Sequence, residues 1–223
     1  IHQRRKLTQR SGFPPPIESF FALTAADDFR ELIGQICGIP KLIDDPELIG
    51  GGLHQILGGG FLDVHVDYNY HPKTKLHRRL NLLLYLNKEW RPEYHGHLEL
   101  WDLQARRQLE SIAPEFNRVV IFETNEISYH GHPQPLNTPP HVTRKSLAIY
   151  YYTEARDDGV LAPDHNTLYR QTTGLPGVVK TLASGTRAVQ ERLSRQGPGA
   201  LVRNLAKRAY RRAQGLPPEN KSE

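Results

Sequence analysis

His65 and Asp67 are the residues of this sequence whose types and spacing most directly suggest chemistry. They close the run Phe61-Leu-Asp-Val-His-Val-Asp67, which alternates with the period of a strand, so both side chains project from one face. One neutral imidazole and one carboxylate are two-thirds of a facial triad, the 2-His-1-carboxylate set that holds Fe(II) and leaves positions open for reactants. Alone, a His-x-Asp pair is a weak signal, and a solvated strand end explains it at least as well.

The rest of the chain changes that balance. A third ligand must come from a distant segment, and His130 in Ser-Tyr-His-Gly-His follows the β-rich run Arg118–Glu123. Arg144 opens Arg-Lys-Ser-Leu-Ala-Ile-Tyr, where alternation puts Arg144 and Ser146 on one face, and a guanidinium there can grip a carboxylate in a bidentate fork. Tyr85 lies in the apolar run Arg79–Asn87 and shares a face with Asn81 and Leu83. A buried tyrosine hydroxyl needs a partner, which the far carboxylate of a 2-oxo dicarboxylic acid would supply. Singly, Tyr85 reads as core, Arg144 as a surface ion pair and His130 as a loop residue. Their joint appearance in this order favours a site.

The elements that must position these residues are mostly strands. Leu53–Leu57 and Phe61–Asp67 read as two strands around a Gly58-Gly59-Gly60 turn, followed by 79–87, 96–102, 118–123 and 145–153. A loop carrying Pro133, Pro135, Pro139 and Pro140 precedes the last. Upstream, residues 1–16 read as an extended, poorly anchored arm ending in Pro14-Pro15-Pro16. Thr24–Asp27 then caps a helix with Phe29, Leu32, Ile33 and Ile36 on one face, stopped at Gly38 and Pro40. Helical spacing returns over 178–196 and 200–214. The expectation is a mainly β fold with flanking α-helices, a sandwich or barrel, and basic C-terminal helices.

Composition sets the bounds. The chain has 223 residues, 38% hydrophobic and 24% charged, as in an ordinary globular protein. Nothing in it approaches the roughly 20 apolar residues of a transmembrane helix, and the N-terminal basic residues lack the apolar stretch of a secretory signal. Cys37 is the only cysteine, which rules out an intramolecular disulfide framework and favours a cytoplasmic setting. From Arg170 onward there are 11 Lys/Arg against 3 Asp/Glu, whereas the preceding residues hold 18 and 21, so the positive charge belongs to the tail. Two domains are expected: 1–165 for the site and its N-terminal arm and helix, and 166–223 for a basic helical extension. Apolar residues at 202, 205, 206 and 209 share one helical face. That helix either docks on the core, which is the favoured reading, or meets an anionic partner such as lipid or phosphate.

Across roughly residues 50–153 the chain resembles the prolyl-hydroxylase branch of the 2-oxoglutarate/Fe(II)-dependent oxygenases. The resemblance rests on His65-Val-Asp67, Leu84-Tyr-Leu-Asn-Lys-Glu-Trp90, Gly96-His-Leu-Glu-Leu-Trp101, the His130 segment and Thr143–Tyr152. It implies a double-stranded β-helix (jelly-roll or cupin-like) core, with Fe(II) held by His65, Asp67 and His130. It also implies that Arg144 and Tyr85 hold the distal carboxylate of 2-oxoglutarate, with Ser146 and Asn81 as further candidates. The implied activity is hydroxylation of an unactivated C–H bond with O2, yielding succinate and CO2, with ascorbate as a possible reductant. The sequence does not choose between a peptidyl-proline-like substrate and a small metabolite or sugar. Tyr68, Asn69, Trp101, Glu99, His95 and His132 are the candidates for substrate contact.

Two departures stand out. His95 occupies the first place of the Gly-Gly that usually precedes the leucine-rich strand, so it either changes the turn or faces the substrate. The tyrosine often found before the first iron-binding histidine has no counterpart, leaving His54 or Gln55 in its role. Two other classes compete. A non-oxidative β-helix metalloprotein, a hydrolase or isomerase, would not need the grip of Arg144 and Tyr85. A binding protein acting through its basic tail should have lost a ligand, and this sequence keeps all three.

Overall fold

A computed structural model describes residues 3–156 and 162–170. The helices expected over 178–196 and 200–214 lie outside the described residues. The elements in order are β1 (Gln3–Gln9), α1 (Pro15–Ala25), α2 (Asp27–Cys37), β2 (Gly52–Val66), β3 (His77–Tyr85), β4 (Leu98–Trp101), β5 (Gln108–Ile112), β6 (Val119–Glu123), β7 (His130–His132), β8 (Arg144–Thr153) and β9 (Leu168–Tyr169). Every strand pairing is antiparallel, and the spatial order runs β5-β4-β7-β2-β8-β3-β6, with β1 and β9 also on β2. Among the described residues no helix is long and apolar enough to cross a membrane.

The long strand β2 organises the curl. Its first part pairs with β8 through Gly52–Ile56, and its last part pairs with β7 through Leu62 and His65. One wing, β8-β3-β6, thus leaves β2 before the triglycine, and the other, β7-β4-β5, leaves it after. Side chains of both wings line one cavity, giving the double-stranded β-helix core.

Three features differ from the expectations. The triglycine is no turn: β2 runs through it as one strand of 15 residues. Gly59 has φ +77°, its N–H donates to Leu136 O at 2.7 Å, and Leu136 N–H returns a bond to Gly60 O at 2.9 Å. The proline-rich loop therefore satisfies this backbone, and the strand bends without reversing. The N-terminal arm is also anchored, because β1 pairs with β2 from Gln3↔Leu62 to Gln9↔Leu53. Finally, Thr24 is not a helix cap. It is buried near the end of α1 and its hydroxyl donates to Phe21 O, while α2 starts from Ala26 with no side-chain cap.

The period-two patterns divide β3 and β8 cleanly. Leu80 and Leu82 of β3 and Ile149 and Tyr151 of β8 pack with Ile33, Ile39 and Leu42 in one buried cluster against the helices. Complete burial of one such leucine contributes about 2 kcal/mol. Tyr151 fixes α1 by donating to Thr24 O at 2.8 Å. Of the predicted α2 face, Ile33 is buried and Phe29 packs against the cluster, while Leu32 and Ile36 are exposed. The alternate residues Asn81 and Leu83 of β3, and Arg144, Ser146 and Tyr150 of β8, face the cavity.

Candidate active site

His65, Asp67 and His130 meet at one end of a cavity of about 230 Å³, with one ligand atom from each lying within 4.8 Å of the others. Asp67 Oδ1 is 3.5 Å from His65 Nε2, and Oδ2 is 3.4 Å from His130 Nε2. Adjacent ligands on a metal with bonds of about 2.1 Å stand about 3 Å apart, so this set needs only a small contraction. Both imidazoles are oriented by short local bonds. His65 Nδ1 donates to Asp63 O at 2.8 Å, and His130 Nδ1 donates to Ser128 O at 2.9 Å. Each Nε2 is left with its lone pair directed at the common point, as metal-ligating histidines require. Burial lowers the His65 pKa, His130 adds to the effect, and the ring stays neutral. This donor set fits a divalent metal.

Asp67 is held from behind by residues that the sequence reasoning missed or misplaced. Arg78 Nη2 lies 2.9 Å from Asp67 Oδ2, and Asn81 Nδ2 donates to the same oxygen at 2.8 Å. Arg78 also donates to Asn81 Oδ1 at 2.8 Å, closing a triangle. Its guanidinium lies 3.6 Å from the Tyr150 ring centroid and 4.4 Å from that of Tyr68, in an aromatic sandwich. Burial alone would raise the Asp67 carboxyl, but the Arg78 guanidinium overrides it and holds it well below the usual carboxylate range. Burial likewise opposes the charge on Arg78, and Asp67 is the main group sustaining it. Asn81, expected among the cosubstrate residues, is thus engaged at the metal end. Arg78 stands third before Asn81 in a basic dipeptide, which reads as a solvated strand start in sequence.

At the distal end, Arg144 is 5% exposed. Its Nε donates to Gly96 O at 2.7 Å and its Nη2 donates to Tyr85 Oη at 3.3 Å. Gly96 has φ +73°, and a Cβ there would stand 2.3 Å from Leu136 and 3.2 Å from the Arg144 side chain, so only glycine fits this turn. Register explains the grouping. Tyr85, Ser146 and His54 are cross-strand partners on β3, β8 and β2, and Arg144 is paired with Ile56. Tyr85 is fully buried, and this pushes its hydroxyl pKa up against the pull of Arg144. His54 lines the cavity, with Nε2 on Gly50 O at 3.0 Å. Burial, helped by Lys6, lowers it to about 3. Gln55 instead faces away and donates to Thr143 Oγ1.

The substrate candidates separate. Tyr68 and His132 line the cavity. Tyr68 donates to Ile49 O and meets the Tyr152 hydroxyl at 2.9 Å. Asn69 is engaged outside the cavity wall with Glu126, Pro163 O and the His165 N–H, where it ties down the segment 162–165. Trp101 donates to Glu99 Oε2 at 3.0 Å and packs on Val64, Val66 and Tyr129. His95 turns toward the proline loop, reaching Pro135 O and Gln134, and adopts φ +60° where glycine would be at ease. Asn69, Trp101, Glu99 and His95 therefore stand apart from the cavity in this structure.

A curled antiparallel sheet with a converging His-x-Asp…His set facing its cavity has the geometry of a facial-triad metal site in a double-stranded β-helix. Residues 51–152 match the 2OG-Fe(II) oxygenase superfamily. That match spans just under half of the chain, and the superfamily it names is one that works with 2-oxoglutarate and Fe(II). The chain is 30% identical over 79 residues to prolyl 3-hydroxylase OGFOD1 of Mus musculus, a match that covers 34% of this chain and 14% of that much longer protein. Among solved structures, a prolyl-4-hydroxylase of Pseudomonas putida aligns at 22% identity and TM-score 0.43, over 66% of this chain and 70% of its own. A Trichoplax adhaerens prolyl hydroxylase, in complex with a hypoxia-inducible-factor peptide fragment, aligns at 20% and 0.47, over 69% and 66%.

Proposed function

We propose that this chain is an Fe(II)- and 2-oxoglutarate-dependent dioxygenase that hydroxylates an unactivated C–H bond, with peptidyl proline the preferred substrate class over a small metabolite or sugar. The observation that carries the reading is one cavity lined both by a His-carboxylate-His set and by Arg144, which is buried and bonded to Tyr85. In this reading His65, Asp67 and His130 hold the metal. Arg144, Tyr85 and Ser146 receive the distal carboxylate of the cosubstrate. Bound Fe(II) would supply oxidative decarboxylation of 2-oxoglutarate by O2, coupled to hydroxylation, with succinate and CO2 as products.

The chain's own residues do the positioning. Arg78 and Asn81 fix the orientation of Asp67, and the backbone carbonyls of Asp63 and Ser128 fix the two imidazoles. Leu83, Leu98 and Phe122 supply apolar cavity wall between the two ends, which limits water. Tyr68 and His132 are the side chains of the candidate set with access to a substrate. Peptidyl proline is preferred because the curated relative acts on prolyl residues.

The reading also assigns residues 1–165 to the oxygenase domain and 166–223 to a basic extension, although Leu168 and Tyr169 still pair with β2. Ascorbate serves as the reductant that keeps the iron ferrous, and a cytoplasmic setting suits the lone cysteine.

Anaerobic addition of Fe(II) and then 2-oxoglutarate should produce a weak visible charge-transfer band. Proline-containing peptides should then stimulate succinate release. Absence of the band with metal occupancy confirmed would remove Arg144 and Tyr85 from the cosubstrate site and bring a non-oxidative metalloprotein forward.

A further inference from the structure

We infer that two further groups, Lys6 and His132, join Arg144 and its neighbours Tyr85 and Ser146 in holding the distal carboxylate of 2-oxoglutarate, with Lys6 delivered by the N-terminal strand β1; this rests on the cosubstrate reading above.

The register makes the assignment. On β2, Ile56 pairs with Lys6 of β1 on one side and with Arg144 of β8 on the other. Cross-strand partners point to the same face of a sheet, so Lys6 and Arg144 flank Ile56 in one row, two strand spacings or about 10 Å apart at the backbone. All three residues line the cavity. The next row, Thr8, His54, Ser146 and Tyr85, is built the same way. The arm thus completes the cavity wall next to the Arg144–Tyr85 pair.

Charge points to the occupant. The cavity lining holds three cationic side chains, Lys6, Arg78 and Arg144, against one carboxylate, Asp67. Arg78 is engaged with Asp67 at 2.9 Å. Lys6 and Arg144 remain, and an anion in the cavity would offset the cost of burying them. Burial lowers the Lys6 pKa to about 8; Asp67 is the strongest charge opposing this, and Arg144 and Arg78 add to it.

His132 supplies the third, independent observation. It is 3% exposed and lines the cavity, and neither ring nitrogen has a hydrogen-bond partner. A neutral imidazole always carries one N–H, and burying it without an acceptor is costly. Lys6 and Arg144 line the same cavity. An anion lodged between these cations would accept that N–H.

The test is calorimetric titration of the metal-loaded full chain under anaerobic conditions. The two probes are 2-oxoglutarate and 2-oxopentanoate, which has the same length without the distal carboxylate. Lys6→Met should weaken 2-oxoglutarate about tenfold and leave 2-oxopentanoate unchanged, because only the former loses a charge-assisted bond. Lys6→Arg should recover most of the loss, and His132→Val should weaken 2-oxoglutarate alone by about threefold. Equal weakening of both probes would mean that β1 merely supports the wall. No change in either would exclude Lys6 from the site. Wild-type protein that binds metal but not 2-oxoglutarate would defeat the underlying reading itself, a result distinct from a normal wild type with an indifferent Lys6→Met.

Discussion

The two ends of the cavity are organised in opposite ways. At the metal end, orientation is local: His65 is fixed by the carbonyl of Asp63 and His130 by that of Ser128, each two residues back. Asp67 accepts from Arg78 and Asn81, both within 14 residues of it. At the distal end nothing is local. Arg144 reaches Gly96 and Tyr85, 48 and 59 residues away, and its neighbours Ser146 and His54 arrive by strand register. The metal end is thus a rigid device whose polar groups are already engaged. The distal end is a set of buried donors brought together by the sheet, and in the proposed reading its last partner is the bound anion. The metal end should therefore fail abruptly when a ligand is changed, and the distal end should fail in graded steps.

The most severe test of that contrast is Asp67→Ala. Turnover should fall more than about 100-fold, because a ligand and its network go together. The substitution also strands Arg78, which is 1% exposed on its side chain. Breaking a buried pair from one side costs about 3–5 kcal/mol, so the melting temperature should drop as well, and the fold does not escape unharmed. Asp67→Asn, whose amide oxygen still accepts from Arg78, should lose comparable turnover but much less stability. If thermal unfolding of the two variants coincides, Arg78 does not depend on Asp67 for compensation, and the metal end is not the rigid unit described.

Arg144→Ala comes next. Truncating one partner of a buried charge-bearing contact should raise the 2-oxoglutarate requirement about 100-fold, with metal affinity unchanged. A parallel fall in metal affinity, read by competition with a chromophoric chelator, would show that the two ends are one coupled structure.

How legible each end is in the sequence follows from the same contrast. A strand's period of two puts His65 with Asp67 and Arg144 with Ser146, so two candidate ligands and two candidate carboxylate donors could be written down from spacing. The same period puts Tyr85 on one face with Asn81 and Leu83 in the run Arg79–Asn87. What spacing cannot give is register between distant strands. Lys6 lies in a stretch that reads as a loose arm, and only its pairing opposite Ile56 carries it into the cavity. The triglycine reads as a turn because the partner that satisfies it, Leu136, is about 77 residues downstream of Gly59. Trp101 and Glu99 looked available for substrate because nothing local shows that they bond to each other.

Asn81 tests the boundary between the ends. It shares a strand face with Tyr85, yet its amide bonds Asp67 and Arg78. Asn81→Ala should weaken metal binding about tenfold and leave 2-oxoglutarate affinity nearly unchanged once metal is saturating. The converse pattern would move Asn81 back among the cosubstrate residues and shift the boundary.

A smaller effect is expected of Tyr85→Phe. The ring stays in place and the fold with it, since only the hydroxyl is removed from a fully buried site. That hydroxyl accepts from Arg144 at 3.3 Å, a long contact, while Arg144 keeps its shorter bond to Gly96 O. Loss of one hydrogen bond of this kind is worth about 1 kcal/mol, so 2-oxoglutarate should bind about fivefold more weakly. Metal affinity should not move. If Tyr85→Phe instead matched Arg144→Ala, the hydroxyl would be what orients the guanidinium, and the distal end would be as preorganised as the metal end. A graded series from Arg144→Ala to Tyr85→Phe, measured by the same anaerobic titration, is the outcome expected of donors that share one anion.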